Sequence, residues 1–232
     1  MSIRERLGEV RERIAAAARA AGREPHAVRL IAVSKGHPSD ALRDAFAAGQ
    51  REFGESYVQE FTRKAEELAD LPIVWHVVGH LQRNKARFVA ERASWVHSVD
   101  SIELARELGK RALARAAGSA PLSTLVEVSI AGEAQKGGVP PERLEPLLAA
   151  VEAEPALRLQ GLMCIPPLAT SSAAERAPFD ALAELRERAG GSRRLPELSM
   201  GMTQDFETAI AAGATLVRVG TAIFGERPPR GA

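Results

Sequence analysis

Eight short segments with buried-strand patterns, separated by longer amphipathic ones, constrain the fold of this chain more than any other feature. Each short segment has the length of a strand, and in the intervening segments the apolar residues recur at helical spacing. Strands that alternate with helices in this way form parallel βα units. The predicted strands cover residues 29–35, 51–54, 73–79, 95–98, 124–130, 159–164, 197–200 and 215–219.

A (β/α)8 TIM barrel has eight parallel strands, each followed by a helix, and the predicted elements match this number. The chain has 232 residues, of which 45% are hydrophobic, and this suffices for one barrel with one sizeable core. We therefore predict an α/β fold in which residues 1–232 form a single TIM-barrel domain. The helices are predicted at residues 39–48, 57–68, 101–116, 141–153, 175–189 and 204–212, with the weakest helix in the connection 81–93.

An additional helix is predicted before the first strand. Ser2 and Glu5 form a capping-box pattern, and Leu7, Val10 and Ile14 supply an apolar stripe. We expect this helix to cover the side or bottom of the barrel. The last five residues are expected to be frayed. Glycines suited to left-handed helix caps follow three of the other predicted helices, at Gly49, Gly190 and Gly213.

The charge balance argues against large anionic partners. Lys and Arg (31) nearly cancel Asp and Glu (30), and the basic residues are spread along the chain, so a small-molecule partner is favoured over nucleic acid or an anionic membrane. Cys164 is the single cysteine, which excludes an internal disulfide, and the first residues lack the apolar core of a signal peptide. No apolar stretch approaches membrane-spanning length, so we expect a soluble, cytoplasmic protein.

In a TIM barrel the chemistry occurs at the carboxyl ends of the strands, in the loops that follow them. Lys35 ends the first predicted strand and is followed at once by Gly36 and Pro38. A lysine in this place can serve as an imine-forming amine, although an isolated lysine at a strand end is usually only solvated. Glu55 and Asp100 also follow strand ends, where we expect them only to favour the start of the next helix.

Two segments near the C-terminus have the composition of a phosphate site. The first follows strand 7 and contains Ser199 and Gly201, and the second follows strand 8 and contains Gly220 and Thr221. Glycine lets backbone N–H groups approach an anion, hydroxyl groups add donors, and helix N-termini direct positive charge at it. TIM barrels bind phosphate in these two loops, so a phosphorylated ligand is predicted.

Arg218 interrupts an otherwise apolar strand, and its guanidinium cannot lose its charge when buried. Its partner is either a carboxylate, such as that of Glu127, in a buried salt bridge, or a ligand atom near the phosphate. Period-two alternation puts Arg218 on the same face of strand 8 as Gly220. It also puts Lys35 on the same face of strand 1 as Val33, and these two strands are neighbours in a closed barrel. Lysine and arginine can therefore contact the same ligand.

Several motifs occur in order along nearly the whole chain. They cover residues 32–35, 53–60, 75–76, 79–85, 97–101, 161–163, 198–202 and 217–225. Together they resemble the pyridoxal phosphate homeostasis protein family, which looks like the barrel domain of alanine racemase without its β-domain. The resemblance implies the same single barrel with an extra N-terminal helix.

The resemblance also implies a cofactor and its contacts. Pyridoxal 5′-phosphate would be held by Lys35 as an internal aldimine, with Arg218 facing the pyridine nitrogen. The family pattern has asparagine where this chain has Ser56 and Ser129, and usually glutamine at Glu127, so the contacts beside the ring differ here. The phosphate would be bound by the two C-terminal loops, which contain Ser199, Gly201, Gly220 and Thr221.

The resemblance favours a carrier over an enzyme. Racemisation needs one base on each face of the substrate carbanion, and in alanine racemase the second base is a tyrosine from the β-domain. This chain has one tyrosine, Tyr57, which we expect to be a packing or rim residue. The protein would thus take part in intracellular vitamin B6 homeostasis, binding the cofactor and releasing it to apo enzymes without substrate turnover. The alternative is a pyridoxal-phosphate-dependent amino-acid racemase or a related fold-type III enzyme.

Three other classes are weighed against these. A zinc hydrolase is suggested by His76 and His80, but four residues along a strand separate side chains by roughly 13 Å, and the glutamate of the helical zinc motif is absent. We therefore expect no metal. A phosphosugar barrel enzyme would keep the phosphate loops but show no aldimine absorbance. Arg83, Lys85 and Arg87 would suit a nucleic-acid patch, but we expect them to be solvated surface.

Overall fold

Eight parallel strands form a closed barrel in which each strand lies beside the next one in the chain and the eighth pairs with the first. The computed structural model describes residues 1–115, 120–130, 137–166 and 172–227. All eight predicted strands are present, so the predicted TIM barrel is confirmed. The strands are β1 (Arg29–Val33), β2 (Glu52–Glu55), β3 (Val74–Val77), β4 (Trp95–Val99), β5 (Leu122–Glu127), β6 (Leu157–Met163), β7 (Glu197–Ser199) and β8 (Leu216–Val219).

Helices surround the barrel, and the predicted ones are present. Gly49, Gly190 and Gly213 have the predicted left-handed conformation. The tail 228–232 and residue 116, at the end of one predicted helix, lie outside the described residues. The described α-helices are α1 (Ile3–Ala20), α2 (Ser39–Ala47), α3 (Val58–Glu67), α4 (Ala86–Ala90), α5 (Ile102–Ala112), α6 (Leu144–Glu152), α7 (Ser172–Arg188), α8 (Gly191–Arg194), α9 (Phe206–Ala211) and α10 (Thr221–Phe224).

The start of α9 differs from the prediction. We expected this helix to begin near Gln204, but it begins at Phe206. The Asp205 carboxylate accepts the N–H of Met202 at 2.5 Å, and this bond closes a turn ahead of the helix. A polar side chain that satisfies a nearby backbone N–H competes with helix formation, which explains the shorter helix.

The predicted N-terminal helix is confirmed with its capping box. The Ser2 hydroxyl accepts the N–H of Glu5 at 3.2 Å, and the Glu5 carboxylate accepts the N–H of Ser2 at 2.6 Å. Its stripe of Leu7, Val10 and Ile14 is buried. The helix packs against α2, α9 and α10, so it covers the side of the barrel where β8 meets β1. None of the described helices is long and apolar enough to cross a bilayer.

Because successive side chains of a strand point to opposite faces, every second residue points into the barrel, and these inward side chains are part apolar and part polar. The polar side chains His76, His97 and Arg218 are buried there, since His76 precedes Val78 by two residues and Arg218 follows Leu216 by two. A larger apolar layer fills the space between the strands and the helices. The apolar side chains that pack together inside the barrel are Ile31, Val33, Val78, Leu125, Met163 and Leu216.

Candidate functional site

A cavity of about 550 Å³ opens at the carboxyl ends of the strands. It brings together four of the six predicted contact residues: Lys35 from the loop after β1, Arg218 from β8, and Gly220 and Thr221 just after β8. The other two, Ser199 and Gly201, are buried and do not line it. The loop after β7 enters the wall instead through residues 202–205.

Lys35 is a half-buried amine in the wall of this cavity, two residues beyond the last residue of β1. Burial lowers the pKa of its ammonium, and the positive charges of Arg227 and Arg218 lower it further, against the opposing charge of Glu55. A lower pKa leaves a larger fraction of free amine at neutral pH, and the free amine is the form that attacks an aldehyde. The surroundings of Lys35 therefore favour imine formation.

A buried ion-pair cluster holds the loop that carries the cavity lysine. Lys64 is fully buried, and its Nζ lies 2.7 Å from the Ser34 carbonyl oxygen and 2.6 and 2.8 Å from the Glu55 and Glu60 carboxylates. Glu60 also accepts the N–H of Gly36 at 2.7 Å. The loop is thus bound to the cluster on both sides of the cavity lysine, which fixes the position of that residue.

This cluster corrects one prediction and adds a residue that the sequence analysis missed. Glu55 does not merely favour a helix start, because it is fully buried, accepts the Ser34 hydroxyl at 2.6 Å and pairs with Lys64. Lys64 follows Phe61 by three residues and so lies on the buried face of α3. That position, opposite a carboxylate at a strand end, is the signal that could have revealed the pair.

Gly201 shapes the loop after β7. Its φ is +92°, and a Cβ at this position would lie 2.7 Å from the Cβ of Ala209 and 2.9 Å from the Cα of Phe206. Only glycine fits this conformation and this close approach to α9. Gly201 therefore serves the cavity indirectly, by letting residues 202–205 reach its wall.

Backbone N–H groups without acceptors line the part of the cavity next to β7 and β8. Those of Thr203, Gln204 and Thr221 donate no hydrogen bond within the described parts of the chain. A Cβ at Gly220 would lie 2.9 Å from the carbonyl oxygen of Val33, so glycine allows the end of β8 to lie close to β1. Unpaired N–H groups that converge with hydroxyl groups on one wall suit an anionic ligand.

Arg218 is buried at the base of the cavity and has hydrogen-bond partners in β7 and just beyond the end of β6. Its Nη1 donates to the Ser199 hydroxyl at 2.7 Å and its Nη2 donates to the Cys164 carbonyl oxygen at 2.9 Å. For the residues described, no ion pair joins Arg218 to Glu127 within 4.0 Å. The salt-bridge alternative is therefore wrong, and Ser199 lies beneath the guanidinium instead of on the cavity wall.

The two histidines of the zinc hypothesis face different surroundings. His76 points into the barrel, where its Nδ1 lies 2.9 Å from Nε2 of His97 and its Nε2 lies 3.1 Å from Oε2 of Glu52. His80 is exposed, with its Nδ1 3.3 Å from Oδ2 of Asp100. No set of three His, Cys, Asp or Glu side chains in the described ranges could hold a metal ion.

Glu127 is the last residue of β5, and its carboxyl group is buried. Its Oε2 is buried without a hydrogen-bond partner in the described chain, and burial, helped by the charge of Asp100, raises its pKa to about 7. Ser56 lines the cavity and Ser129 does not. Tyr57 is 49% exposed and lies outside the cavity wall.

Comparison with known proteins assigns the family. Residues 6–228 match the family model described as alanine racemase, N-terminal domain. The pyridoxal phosphate homeostasis protein of Pseudomonas aeruginosa PAO1 is 49% identical over 226 residues, which are 97% of this chain and 96% of that protein. The chain belongs to the pyridoxal phosphate homeostasis protein family. The predicted resemblance is confirmed.

Solved structures place the family within a wider fold group. PipY of Synechococcus elongatus PCC7942, solved with pyridoxal phosphate bound, is 41% identical with a TM-score of 0.81, covering 97% of this chain and all (100%) of that one. Alanine racemase of Corynebacterium glutamicum is 15% identical with a TM-score of 0.64, covering 96% of this chain but 62% of that one. The racemase therefore shares the barrel fold and continues beyond it.

Proposed function

We propose that this pyridoxal phosphate homeostasis family member holds pyridoxal 5′-phosphate at Lys35 and takes part in intracellular vitamin B6 homeostasis. One observation carries the proposal: a half-buried lysine with a lowered pKa shares a cavity with an arginine and with unpaired backbone N–H groups. These groups match an aldehyde, a ring nitrogen and a phosphate. The name of the relatives and the ligand of PipY agree with this match.

Each part of the cavity has its own task in this proposal. When bound, the cofactor supplies an aldehyde that condenses with a primary amine and releases one water molecule. Lys35 supplies the amine, and the N–H groups of Thr203, Gln204 and Thr221 bind the phosphate. Arg218 donates to the ring nitrogen, and because arginine stays protonated, it leaves that nitrogen without a proton and the ring a weak electron sink.

Two predicted contact residues take a supporting task. Ser199 accepts a hydrogen bond from Arg218 and so holds the guanidinium from below. Gly201 gives the loop after β7 the conformation that presents its N–H groups. Both residues are needed for the site, although neither lies on the cavity wall.

We further propose that the protein exchanges the cofactor without sustained turnover of amino acids. A weak electron sink stabilises a substrate carbanion poorly, and Tyr57 is not placed to act as a second base on the cavity wall. The cavity also lies at the open end of the barrel, where small amines can enter. Apo enzymes that need the cofactor are the proposed recipients.

Absorbance and mass measurements test the cofactor assignment. The purified protein, saturated with pyridoxal 5′-phosphate, should show an imine band that borohydride removes, and its intact mass should then increase by one reduced cofactor. Lys35→Ala should abolish both signals, whereas Lys110→Ala, at an exposed lysine of α5, should change neither. An adduct that persists in Lys35→Ala would contradict the assignment.

Amino-acid turnover is tested on the same loaded protein. Incubation with L-alanine and other L-amino acids should yield no D-isomer and no decarboxylated amine, as followed by chiral chromatography. Transfer to an apo enzyme should restore that enzyme's activity at a rate above that of free cofactor release. Sustained racemisation or decarboxylation would favour the enzyme alternative.

A further inference from the structure

A line of buried polar side chains crosses the interior of the barrel from the cavity towards its opposite end. Arg218 Nη1 lies 2.7 Å from the Ser199 hydroxyl, which lies 2.8 Å from Nδ1 of His97. Nε2 of His97 lies 2.9 Å from Nδ1 of His76, and Nε2 of His76 lies 3.1 Å from a carboxylate oxygen of Glu52. Four strands contribute to this chain of contacts besides β8.

The two ends of this line together fix the direction of its hydrogen bonds, because a serine hydroxyl could also accept an imidazole N–H, whereas Nε2 of His76 faces the Glu52 carboxylate and must carry the proton. Arginine has only donors, so Ser199 accepts from Arg218 and its own hydroxyl proton is free to donate to Nδ1 of His97. His97 then carries its proton on Nε2 and donates to Nδ1 of His76. His76 carries its proton on Nε2, which faces the Glu52 carboxylate. Both histidines are thus neutral and in the Nε2–H tautomer.

The surroundings keep both histidines in this state. Burial lowers the pKa of His97 well below its usual value, and the positive charges of Arg218 and Arg29 act in the same direction, as protonation of His76 would. Burial also lowers the pKa of His76, against the carboxylate of Glu52. Neutral rings are the form that the hydrogen-bond direction requires.

The end of this hydrogen-bond chain that lies farthest from the cavity is held by ring stacking and by ion pairs. The ring of His76 stacks on Trp95 with centroids 5.5 Å apart and planes inclined by 12°. Glu52 lies 3.5 Å from the Arg29 guanidinium, which also contacts Glu197 at 3.1 Å. The His76–Glu52 contact is short but is not aligned as a hydrogen bond. The orientation of His97, and through it that of Ser199, is therefore fixed mainly by the two hydrogen bonds that His97 makes with Ser199 and His76.

We propose that Ser199 and His97, backed by His76, are positioning residues that fix the plane of the Arg218 guanidinium and present its free N–H groups to the ring of a bound B6 vitamer. The guanidinium has five N–H donors, of which Ser199 and Cys164 occupy two. A guanidinium held from below cannot turn away from the cavity. The effect on the vitamer rests on the proposed function, whereas the hydrogen-bond chain exists without a ligand.

The tautomers test the chain in the ligand-free protein. Two-bond 15N correlation spectra of protein labelled at histidine should show neutral Nε2–H forms for His76 and His97 at pH 7 to 8. Loss of one signal set in His76→Gln and in His97→Gln assigns them. In Ser199→Ala the chemical shift of His97 Nδ1 should change, since its donor is gone. A cationic His97 at pH 7, or a proton on its Nδ1, would overturn the chain.

Binding of pyridoxine 5′-phosphate tests the consequence, because this vitamer has no aldehyde and needs no bond to Lys35. Ser199→Ala and His97→Leu should raise its Kd by roughly tenfold, the factor expected when one hydrogen bond to a charged group is lost. His97→Gln can accept from Ser199 and donate to His76, and should retain most of the affinity. Leu125→Val, which trims an apolar side chain in the same interior, is the matched control.

The outcomes separate the two proposals. Unchanged Kd in both Ser199→Ala and His97→Leu, with native circular dichroism, would overturn the positioning role. An equal loss of affinity in Leu125→Val would also overturn it, because general loosening of the barrel would then suffice. Failure of the wild-type protein to bind either vitamer would overturn the proposed function, and the tautomer spectra would still decide whether the chain exists.

Discussion

Lys35 owes its lowered pKa to burial and to two positive neighbours. Burial contributes most to the lower pKa of its ammonium, followed by the charges of Arg227 and then Arg218. Arg227 is exposed at the cavity rim, so its replacement should change the stability of the fold less than replacement of Arg218, which is buried within the barrel. The charge effect can therefore be measured at Arg227 with little change in structure.

Arg227→Ala should raise the pKa of Lys35 and slow imine formation at neutral pH. Removing a positive charge stabilises the ammonium, so the pH profile of the imine-forming rate should move to higher pH. Stopped-flow absorbance with pyridoxal, which has no phosphate, excludes the loss of a phosphate contact as the cause. Arg19→Ala, at an exposed position in α1, should leave the profile unchanged; equal profiles for wild type and Arg227→Ala would contradict the charge effect.

Glu127 should make stability depend on pH in a way that Glu127→Gln removes. Its pKa is raised from 4.5 to about 7 in the folded protein, so folding favours its protonated form. This contribution is complete below pH 4.5 and is lost as the pH rises through 7. Glu127→Gln should therefore gain stability over wild type with rising pH, by up to about 3 kcal/mol.

Urea unfolding at pH 5 and pH 8 measures this difference. The free energies of unfolding of wild type and Glu127→Gln should diverge at the higher pH and converge at the lower one. The exposed Glu91→Gln should run parallel to wild type at both values. A constant offset between Glu127→Gln and wild type would mean that Glu127 is ionised throughout.

The sequence predicts the residues that break a local pattern and misses those that fit one. Lys35 ends an apolar strand pattern and Arg218 interrupts one, so the sequence predicts both, and both line the cavity. Lys64 sits in a charged helix, where any lysine is expected, and its burial depends on the packing of α3 against the barrel. His97 looks like an ordinary strand residue until the register pairs His76 with Trp95, which leaves His97 two residues further along the same face with its Nε2 2.9 Å from Nδ1 of His76.

At the scale of elements, strands were easier to predict than helix ends. Most strands follow from short, largely apolar runs, which burial on both faces favours. Helix ends depend on individual hydrogen bonds, as the Asp205 carboxylate shows at the start of α9. The docking of α3 involves one buried lysine, Lys64. Its spacing from Phe61 places it on the buried face of the helix, but this spacing does not show that a carboxylate meets it there.

Lys64→Met should therefore weaken the attachment of α3 and destabilise the protein by about 3–5 kcal/mol, because it leaves Glu55 buried without its partner. The double variant Lys64→Met/Glu55→Gln should recover part of the loss, since the unpaired charge is gone. Urea unfolding followed by circular dichroism measures both. Lys110→Met is the exposed control. A loss below about 1 kcal/mol, the range of surface pairs, would show that the cluster is not buried in solution.

At the scale of the whole molecule, the barrel closes where the two ends of the chain meet. β8 pairs with β1, α1 covers this seam, and the Arg6 side chain donates to the carbonyl oxygen of Ile223 in α10 at 2.6 Å. The lysine and the N–H groups proposed to bind the phosphate lie on opposite sides of the same seam. Closure of the barrel and assembly of the cavity are therefore one event.

Leu7→Ala tests this coupling from outside the cavity. Leu7 is fully buried on the inner face of α1, so its truncation to alanine should destabilise the protein by about 2–5 kcal/mol. Because the seam and the cavity form together, cofactor absorbance and helical circular dichroism should be lost in one urea transition, and Leu7→Ala should move both midpoints equally. Glu12→Ala, exposed on the same helix, should move neither. Release of the cofactor in a separate, earlier transition would show that the seam opens while the rest of the barrel stays folded.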